Sequence, residues 1–106
     1  MALTREYKTT VLDRIRRDRR FAQALYAEAL DALLAGETTE GLSMLRDLVN
    51  AEISFKELAR QTGFDEKSLH RMLSARGNPT LRSMGKIVLA IREDLGFVPH
   101  VKVALP

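Results

Sequence analysis

SFKELARQTGFDEKSLHRMLSARGNPT, residues 54–80, is the stretch that decides the fold of this chain. Apolar residues recur at helical spacing on both sides of Gly63, which predicts two short helices with a tight turn between them. Ala59 is small enough for the two backbones to approach, and Gly63 tolerates the positive φ that the turn requires. Leu69 and Met72 lie on the inner face of the second helix. This spacing favours a helix-turn-helix.

The second helix of this stretch has a polar outer face. Its members are Glu66, Lys67, Ser68, His70 and Arg71. A helix that is supported from behind and polar in front is suited to enter the major groove of DNA. Glu66 lies in the first turn of this helix, where the positive end of the helix dipole stabilises a carboxylate. We favour this role for Glu66 over a base contact. The pattern therefore predicts a DNA-reading helix, although the same charges also suit a solvated helix face.

Nine residues in and around this stretch are candidates for DNA contact. We expect base contacts from Lys67, Ser68 and Arg71, since Arg can donate two hydrogen bonds to guanine and Ser can bond to several bases. Contacts to phosphate oxygens are expected from Ser54, His70, Arg76, Asn78, Thr80 and Arg82. Each has an ordinary alternative, because Ser68 and Thr80 can cap helices and an exposed Arg can simply be solvated.

Helical spacing continues outside residues 54–80 and predicts a helical bundle. The predicted helices are residues 8–19, 20–35, 40–51, 54–62, 66–75 and 81–93, with a single bent helix over 8–35 as the alternative. The predicted caps are Gly36, Thr38 or Thr39, an S-x-x-E capping box of Ser54 and Glu57, Asp65, and Thr80. Leu81 is expected to be buried by the last helix.

The residues after Gly96 change to a period of two, with Val101, Val103 and Leu105 alternating with Lys102 and Ala104. This alternation predicts a short strand, which Pro99 confines to a sheet edge. The sequence leaves three arrangements of this strand open: it can pair with its copy across a dimer axis, add to a sheet of a partner protein, or fold back on its own chain. The predicted fold class is all-α. It is a repressor-like helix-turn-helix bundle, residues 38–106, with an N-terminal helical extension, residues 1–37, and a short C-terminal β-strand.

Composition excludes several classes of protein. The 106 residues contain no cysteine, so no disulfide or thiol nucleophile is available. The sequence has no paired His–acid motif and no Gly-rich phosphate loop, so we expect neither an enzyme nor a cofactor, and His70 has no companion at metal-ligand spacing. No apolar run is long enough for a membrane span or a signal peptide. We therefore expect a cytoplasmic protein.

Charge is distributed unevenly along the chain. There are 17 Lys and Arg against 14 Asp and Glu, giving a net charge of +3. Residues 28–57 are mostly acidic, whereas every charged residue from Lys67 to Arg92 is basic. The run RIRRDRR at 14–20 holds five arginines, which suit a solvated face, an added DNA contact or a surface for an acidic partner.

The segment FKELARQTGFDEKSLHRMLSARGNPTLRSMGKIVLAI resembles the repressor-type (Xre/Cro-like) helix-turn-helix of HigA-like antitoxins in the addiction-module antidote family. The resemblance covers about residues 42–103. The matching positions are Leu58–Ala59, Thr62–Gly63, Leu69, Arg71, Leu73–Ser74 and Gly77–Asn78–Pro79–Thr80–Leu81. The GNPTL loop is the most specific of these matches, because it is rarer than the helical hairpin.

The resemblance implies a small homodimeric repressor that binds an operator in double-stranded DNA. It implies the antitoxin of a type II toxin–antitoxin module, which represses its own operon and binds a RelE/HigB-like toxin. Two alternatives stay open: a stand-alone Xre-like regulator, and a protein-interaction adaptor on the same fold, for which the acidic segment 28–57 would serve a basic partner.

Overall fold

The computed structural model describes the backbone of residues 2–106 and the side chains of residues 6–106. These residues are helical without any strand, which confirms the all-α fold class. The helices are α1 (Ala2–Arg17), α2 (Arg19–Leu34), α3 (Thr38–Leu48), α4 (Phe55–Thr62), α5 (Glu66–Met72) and α6 (Leu81–Leu95), and a π-helical turn (Val49–Ile53) extends α3.

Asp18 separates α1 from α2, so the alternative of one bent helix is wrong. Its backbone is extended, with φ −128° and ψ 100°. Its carboxylate accepts hydrogen bonds from the backbone N–H groups of Arg20 at 3.0 Å and Phe21 at 3.2 Å. An aspartate in this role satisfies amides that a helix start leaves without partners. The predicted division at residues 19 and 20 therefore lies one residue away, at a helix cap.

One apolar core joins α1 and α2 to the rest of the molecule. Its members from the first two helices include Ile15, Ala22, Tyr26 and Ala29, and they pack with Leu42, Leu45, Leu58, Leu69, Ile87 and Ile91. The Tyr26 hydroxyl donates to the Val88 carbonyl at 3.1 Å, and burial raises the pKa of this tyrosine. Lys8 of α1 forms an ion pair of 2.9 Å with the buried carboxylate of Asp47 in α3. These contacts dock the N-terminal helices.

Two predictions, the burial of Leu81 and the threonine cap of the third helix, are wrong. Leu81 is 89% exposed rather than buried. It is the first residue of α6, and side chains in a helix tilt toward its N-terminus, which here points away from the core. The third helix is not capped by a threonine, since its N-cap is Glu37, which makes no side-chain cap bond.

The other predicted caps form, with one difference at Ser54. Asp65 accepts from the Ser68 amide at 3.2 Å and Thr80 from the Ser83 amide at 3.1 Å. The Ser54 hydroxyl accepts from the Glu57 amide at 3.1 Å. The Glu57 carboxylate does not return the bond, because it accepts from Arg60 instead. Half of the predicted capping box is therefore present.

Ser54 carries backbone strain where the π-helical turn meets α4. Its φ of 90° and ψ of 150° fall in a region that essentially only glycine adopts without cost. The strain is of order 1–3 kcal/mol. Glycine at an N-cap costs only a few tenths of a kcal/mol relative to serine, whereas alanine costs about 1 kcal/mol.

We therefore predict that Ser54→Gly raises the free energy of unfolding by about 1–2 kcal/mol and that Ser54→Ala lowers it by about 1 kcal/mol. Glycine relieves the strained φ, while alanine keeps it and loses the cap. Urea denaturation of the two variants beside the wild type measures both changes. A loss of only a few tenths of a kcal/mol in Ser54→Gly, beside a loss of about 1 kcal/mol in Ser54→Ala, would show that the cap alone determines the effect at this position.

The predicted C-terminal strand is absent from the described residues. Residues 97–106 follow α6 without regular structure, and Val101, Val103 and Leu105 are exposed. A strand is defined by hydrogen bonds to a neighbouring strand, and the helical chain offers none. The strand predicted from the period-two pattern is therefore not part of the described fold.

No described helix of the chain combines the length and the apolar character needed to cross a membrane.

Candidate nucleic-acid interface

The helical hairpin of α4 and α5 is built as its sequence predicts. The two helices are separated by a turn over residues 63–65, and Gly63 adopts φ 80° in the left-handed region. Leu58 of α4 and Leu69 of α5 are 0% exposed, and Ala59 packs partly buried against the core. The inner faces of both helices are thus fixed, so the outer face of α5 is held in one orientation.

The end of α5 is held by a residue that sequence reasoning did not identify. Arg46 of α3 donates from Nη1 to the Leu73 carbonyl at 2.6 Å. A cation here satisfies a backbone oxygen that the helix end leaves free and complements the negative end of the helix dipole. The contact spans 27 residues in the sequence, and a lone arginine in α3 carries no signal for it.

The three predicted base-reading residues lie on one face of α5. Lys67 and Arg71 are exposed, and Ser68 is half-buried. Arg71 donates from Nη2 to the Ser68 hydroxyl at 3.3 Å, which brings two of the three together. Arg71 makes no ion pair among the described side chains, so its guanidinium is available to an acceptor outside the chain.

Two of the phosphate candidates lie at the start of α4. Ser54 is exposed and caps this helix. His70 of α5 stacks on Phe55, with ring centroids 3.8 Å apart and planes 17° apart. Its Nε2 lies 3.9 Å from the Glu66 carboxylate. The stacking fixes the plane of the His70 ring against Phe55, the residue that follows Ser54 in the chain.

The other four phosphate candidates lie in the loop after α5 and in the first turn of α6. Arg76, Asn78, Thr80 and Arg82 are all exposed. The Thr80 hydroxyl caps α6 and donates to the Ser83 hydroxyl at 3.0 Å. Backbone amides at a helix N-terminus attract anions, and two arginines beside them add charge. This arrangement suits a phosphate group.

Gly77 determines the path of this loop by close packing. A Cβ atom at this position would lie 2.0 Å from the Met72 carbonyl oxygen and 3.0 Å from the Ser74 carbonyl oxygen. Real Cβ atoms do not approach this closely, so a side chain here would require the backbone to move. Glycine is thus required for the loop to fold back against the end of α5.

Two other cations near the hairpin, Arg60 and Lys86, are engaged within the chain, whereas Lys56 is exposed on α4. Arg60 donates to Glu57 at 2.9 Å, and Lys86 lies over the Phe64 ring at 5.3 Å from its centroid. Hydrogen bonds from Arg60 and Gln61 lower the pKa of the Glu57 carboxyl to about 2. Arg60 is therefore committed to Glu57, whereas the candidates on α5 and in the following loop carry the free positive charge.

The lowered pKa of Glu57 leads to a prediction about pH. Because the folded pKa lies below the unfolded value of 4.5, this carboxylate stabilises the fold above that value, and its contribution is lost as pH falls toward about 2. Carboxyl carbon chemical shifts in an NMR titration should give a midpoint near 2, and Arg60→Ala should raise it toward 4.5. An unchanged midpoint in the variant would show that Arg60 is not the cause.

The arginine run at 14–20 contacts the chain itself at four of its five arginines. Arg14 lies over the Phe21 ring, and Arg16 donates to the Ala51 carbonyl at 3.2 Å. Arg17 donates to the Asp13 carbonyl at 3.4 Å. Arg19 donates to the Leu95 carbonyl at the end of α6 and lies over the Phe97 ring. These contacts connect α1 and α2 to the π-helical turn and to α6.

The described side chains form no cluster of three or more His, Asp or Glu residues that could hold a metal ion. The prominent chemical feature of this surface is therefore its exposed cations and hydroxyls on α5 and in the loop after it. Comparison of the chain with protein-family models, with curated proteins and with solved structures finds no match.

Proposed function

We propose that the protein is a sequence-specific DNA-binding transcriptional regulator that acts as a homodimer. The observation that carries this proposal is the construction of α5. This seven-residue helix is anchored from behind by Leu69, held at its end by Arg46, and presents Lys67 and Arg71 to solvent. A short helix supported in this way is suited to the major groove.

In this proposal the two sets of candidates have different roles. Arg71 donates to guanine O6 and N7, and Lys67 and Ser68 contact neighbouring base edges. Arg76, Asn78, Thr80 and Arg82 bind the phosphate backbone beside the groove and fix the register of α5. Ser54 and His70 do the same at the start of α4. Base contacts thus give specificity, and phosphate contacts give affinity that depends on salt.

A dimer provides the second reading helix. Two copies of α5 related by a two-fold axis, with centres about 34 Å apart, fit successive major grooves on one side of the duplex. The site should then be roughly palindromic. Since phosphate contacts are duplicated as well, the dimer binds far more tightly than a single chain.

We further propose that the protein is the antitoxin of a type II toxin–antitoxin module, which represses its own operon. The GNPTL loop and the hairpin motif support this assignment through the family resemblance. A RelE/HigB-like toxin encoded beside the gene would then be its protein partner.

A second surface of the molecule favours a protein partner. Four carboxylates of α2 and α3 and the segment between them line a shallow groove beside Leu34, which is 73% exposed. They belong to Glu28, Asp31, Glu37 and Glu40. This surface suits a basic toxin or, in the adaptor alternative, another basic protein. Co-expression with the product of the adjacent gene, followed by size-exclusion chromatography, separates the antitoxin from a stand-alone regulator, which would elute alone.

The test of DNA binding is fluorescence anisotropy with duplex DNA from upstream of the protein's own gene, at two salt concentrations. A scrambled duplex of the same composition is the specificity control. Arg71→Ala removes one bidentate base contact from each subunit, so binding to the upstream duplex is expected to weaken by at least about 30-fold, the equivalent of roughly 2–6 kcal/mol for two contacts of 1–3 kcal/mol each. Arg20→Ala is the matched control, because this arginine is exposed on α2 and belongs to neither set of proposed contact residues.

Two outcomes would oppose the proposal. Equal binding to the scrambled duplex would remove sequence specificity, and absence of binding at both salt concentrations would favour the adaptor. Arg76→Ala distinguishes the two kinds of contact. It should weaken binding to both duplexes and reduce the salt slope by about 2, since each subunit of the dimer loses one phosphate contact worth about 1.

A further inference from the structure

The C-terminal tail, residues 98–106, is an apolar segment that leaves the molecule from a fixed base. Phe97 anchors that base, since its ring lies 5.8 Å from the Tyr26 ring and 5.1 Å from the Arg19 guanidinium carbon. Beyond Phe97 the chain is exposed. The fully solvated apolar side chains are Val98 at 68%, Val101 at 77%, Val103 at 87% and Leu105 at 93% exposed.

The tail has the properties of a strand that lacks a neighbour. Its apolar residues occupy alternate positions from 101 to 105, so an extended backbone places all of them on one face. Its backbone makes no hydrogen bond to another element of the described chain. Three valines and a leucine in water form a surface that soluble proteins normally cover.

We propose that a second copy of this chain covers the tail, and that the two tails pair as an antiparallel two-stranded ribbon centred on Val103. This inference rests on the homodimer that the proposed function requires, and it assigns the interface. In the proposed pair, Val103 lies opposite Val103 of the partner subunit. Val101 then lies opposite Leu105 of the partner subunit, and Leu105 lies opposite Val101 of the partner subunit.

Charge and side-chain pattern select this register. Centred on Val103, the ribbon has three directly opposed apolar pairs on one face, and Lys102 lies opposite Ala104 of the partner subunit. Moving the centre to Lys102 would set two lysines directly opposite each other, which is destabilising. Moving it to Ala104 leaves two apolar pairs and brings Pro106, which has no N–H, into the ladder.

The neighbouring groove gives the ribbon a surface to rest on. A groove of about 470 Å³ runs between α2, which contributes Tyr26, Leu30 and Leu34, and residues 98–102 of the tail. An isolated two-stranded ribbon is marginal in water, and packing against a helix stabilises it. The apolar face of the paired tails can therefore be buried on α2 of either subunit.

Single-cysteine variants test the pairing directly, because the chain contains no cysteine. Directly opposite residues of an antiparallel pair have Cα atoms 4.5–5.5 Å apart, which is within the range that a disulfide bridges. Under mild oxidation without DNA, Val103→Cys should form a covalent dimer faster and more completely than Lys102→Cys or Ala104→Cys. Tyr7→Cys, which is exposed on α1, gives the rate of random collision.

Sedimentation equilibrium of Val103→Asp supplies the second readout. Two carboxylates would lie opposite each other at the centre of the ribbon, so the variant should be monomeric with an unchanged circular dichroism spectrum, whereas Tyr7→Asp should remain dimeric. Cross-linking of Val103→Cys no faster than Tyr7→Cys, or a dimeric Val103→Asp, would overturn the proposal. DNA binding by such a dimer would leave the proposed function intact and place the interface elsewhere.

Discussion

Leu69→Ala is expected to lower the free energy of unfolding by about 2–5 kcal/mol, the range for a leucine deleted from a packed core. Leu69 is 0% exposed and belongs to the same apolar core as Leu58 and Ile87. It is also the fully buried residue of α5, which has only seven residues. Isolated helices of this length are not stable in water, so tertiary packing is what maintains α5.

Leu69→Ala should weaken DNA binding under conditions in which the helical bundle is still folded. Without its apolar anchor, α5 loses its fixed orientation, so operator affinity should fall even at temperatures where circular dichroism still shows a folded bundle. Urea denaturation gives the stability change, and anisotropy with the upstream duplex gives the affinity change. Lys67→Ala is the control on the same helix. It should change stability by no more than about 0.5 kcal/mol, because its side chain is exposed.

A loss of less than about 1 kcal/mol in Leu69→Ala would contradict this account. It would mean that the cavity collapses or that the end contacts hold α5 unaided. The second case has its own test, since Arg46→Met removes the cation at the Leu73 carbonyl and keeps an unbranched apolar stem. If Arg46 holds α5 in place, the free energy of unfolding of the double variant Leu69→Ala/Arg46→Met should fall by much more than the sum of the two single changes.

Features determined by neighbouring residues were predictable from the sequence. The turn glycine at Gly63 and the caps at Asp65 and Thr80 depend on contacts within a few residues, and the structure has them. The buried position of Leu69 was predictable because helical periodicity places it on the apolar face of α5. Helical periodicity also gave the class of the fold. Local spacing determines these features because capping and turn geometry involve only the adjacent backbone.

Features that depend on distant residues were not predictable. Arg46 reaches the end of α5 across 27 residues, and Arg19 reaches Leu95 across 76. The sequence shows only arginines with several possible partners. The π-helical turn and the positive φ of Ser54 lie between α3 and α4, and no local sequence pattern predicts either of them.

The C-terminal tail shows a third situation, in which a sequence pattern did not predict the observed structure. Alternation at Val101, Val103 and Leu105 predicted a strand, but these residues are exposed and have no regular structure. The expected strand did not form, because the bonds that define a strand come from a neighbour. Alternation alone is therefore not sufficient to predict a strand at this position.

Gly77→Ala is expected to lower the free energy of unfolding by about 1–3 kcal/mol, the usual cost of forcing an extra methyl group into a packed site. The added Cβ would lie 2.0 Å from the Met72 carbonyl oxygen, and that oxygen belongs to the backbone at the end of α5. It cannot rotate away as a side chain can. The loop must therefore shift, and Arg76 and Asn78 shift with it.

The displaced loop should weaken DNA binding in a characteristic way. Since Arg76 and Asn78 are proposed to contact phosphate, Gly77→Ala should reduce affinity for the upstream and scrambled duplexes by similar factors and lower the salt slope, while the preference between them stays. A selective loss on the upstream duplex would instead mean that the loop positions α5 for base reading. Either result is read from the same anisotropy titrations that test Arg71.

Gly85→Ala is the matched control for this substitution. Gly85 lies inside α6, and a Cβ there would meet nothing within 4 Å. Alanine is favoured over glycine in a helix by about 1 kcal/mol, so this variant should be more stable than the wild type. The same chemical change should thus have opposite signs at two positions eight residues apart. A stable Gly77→Ala with unchanged DNA binding would show that the loop accommodates the methyl group and that close packing does not determine its path.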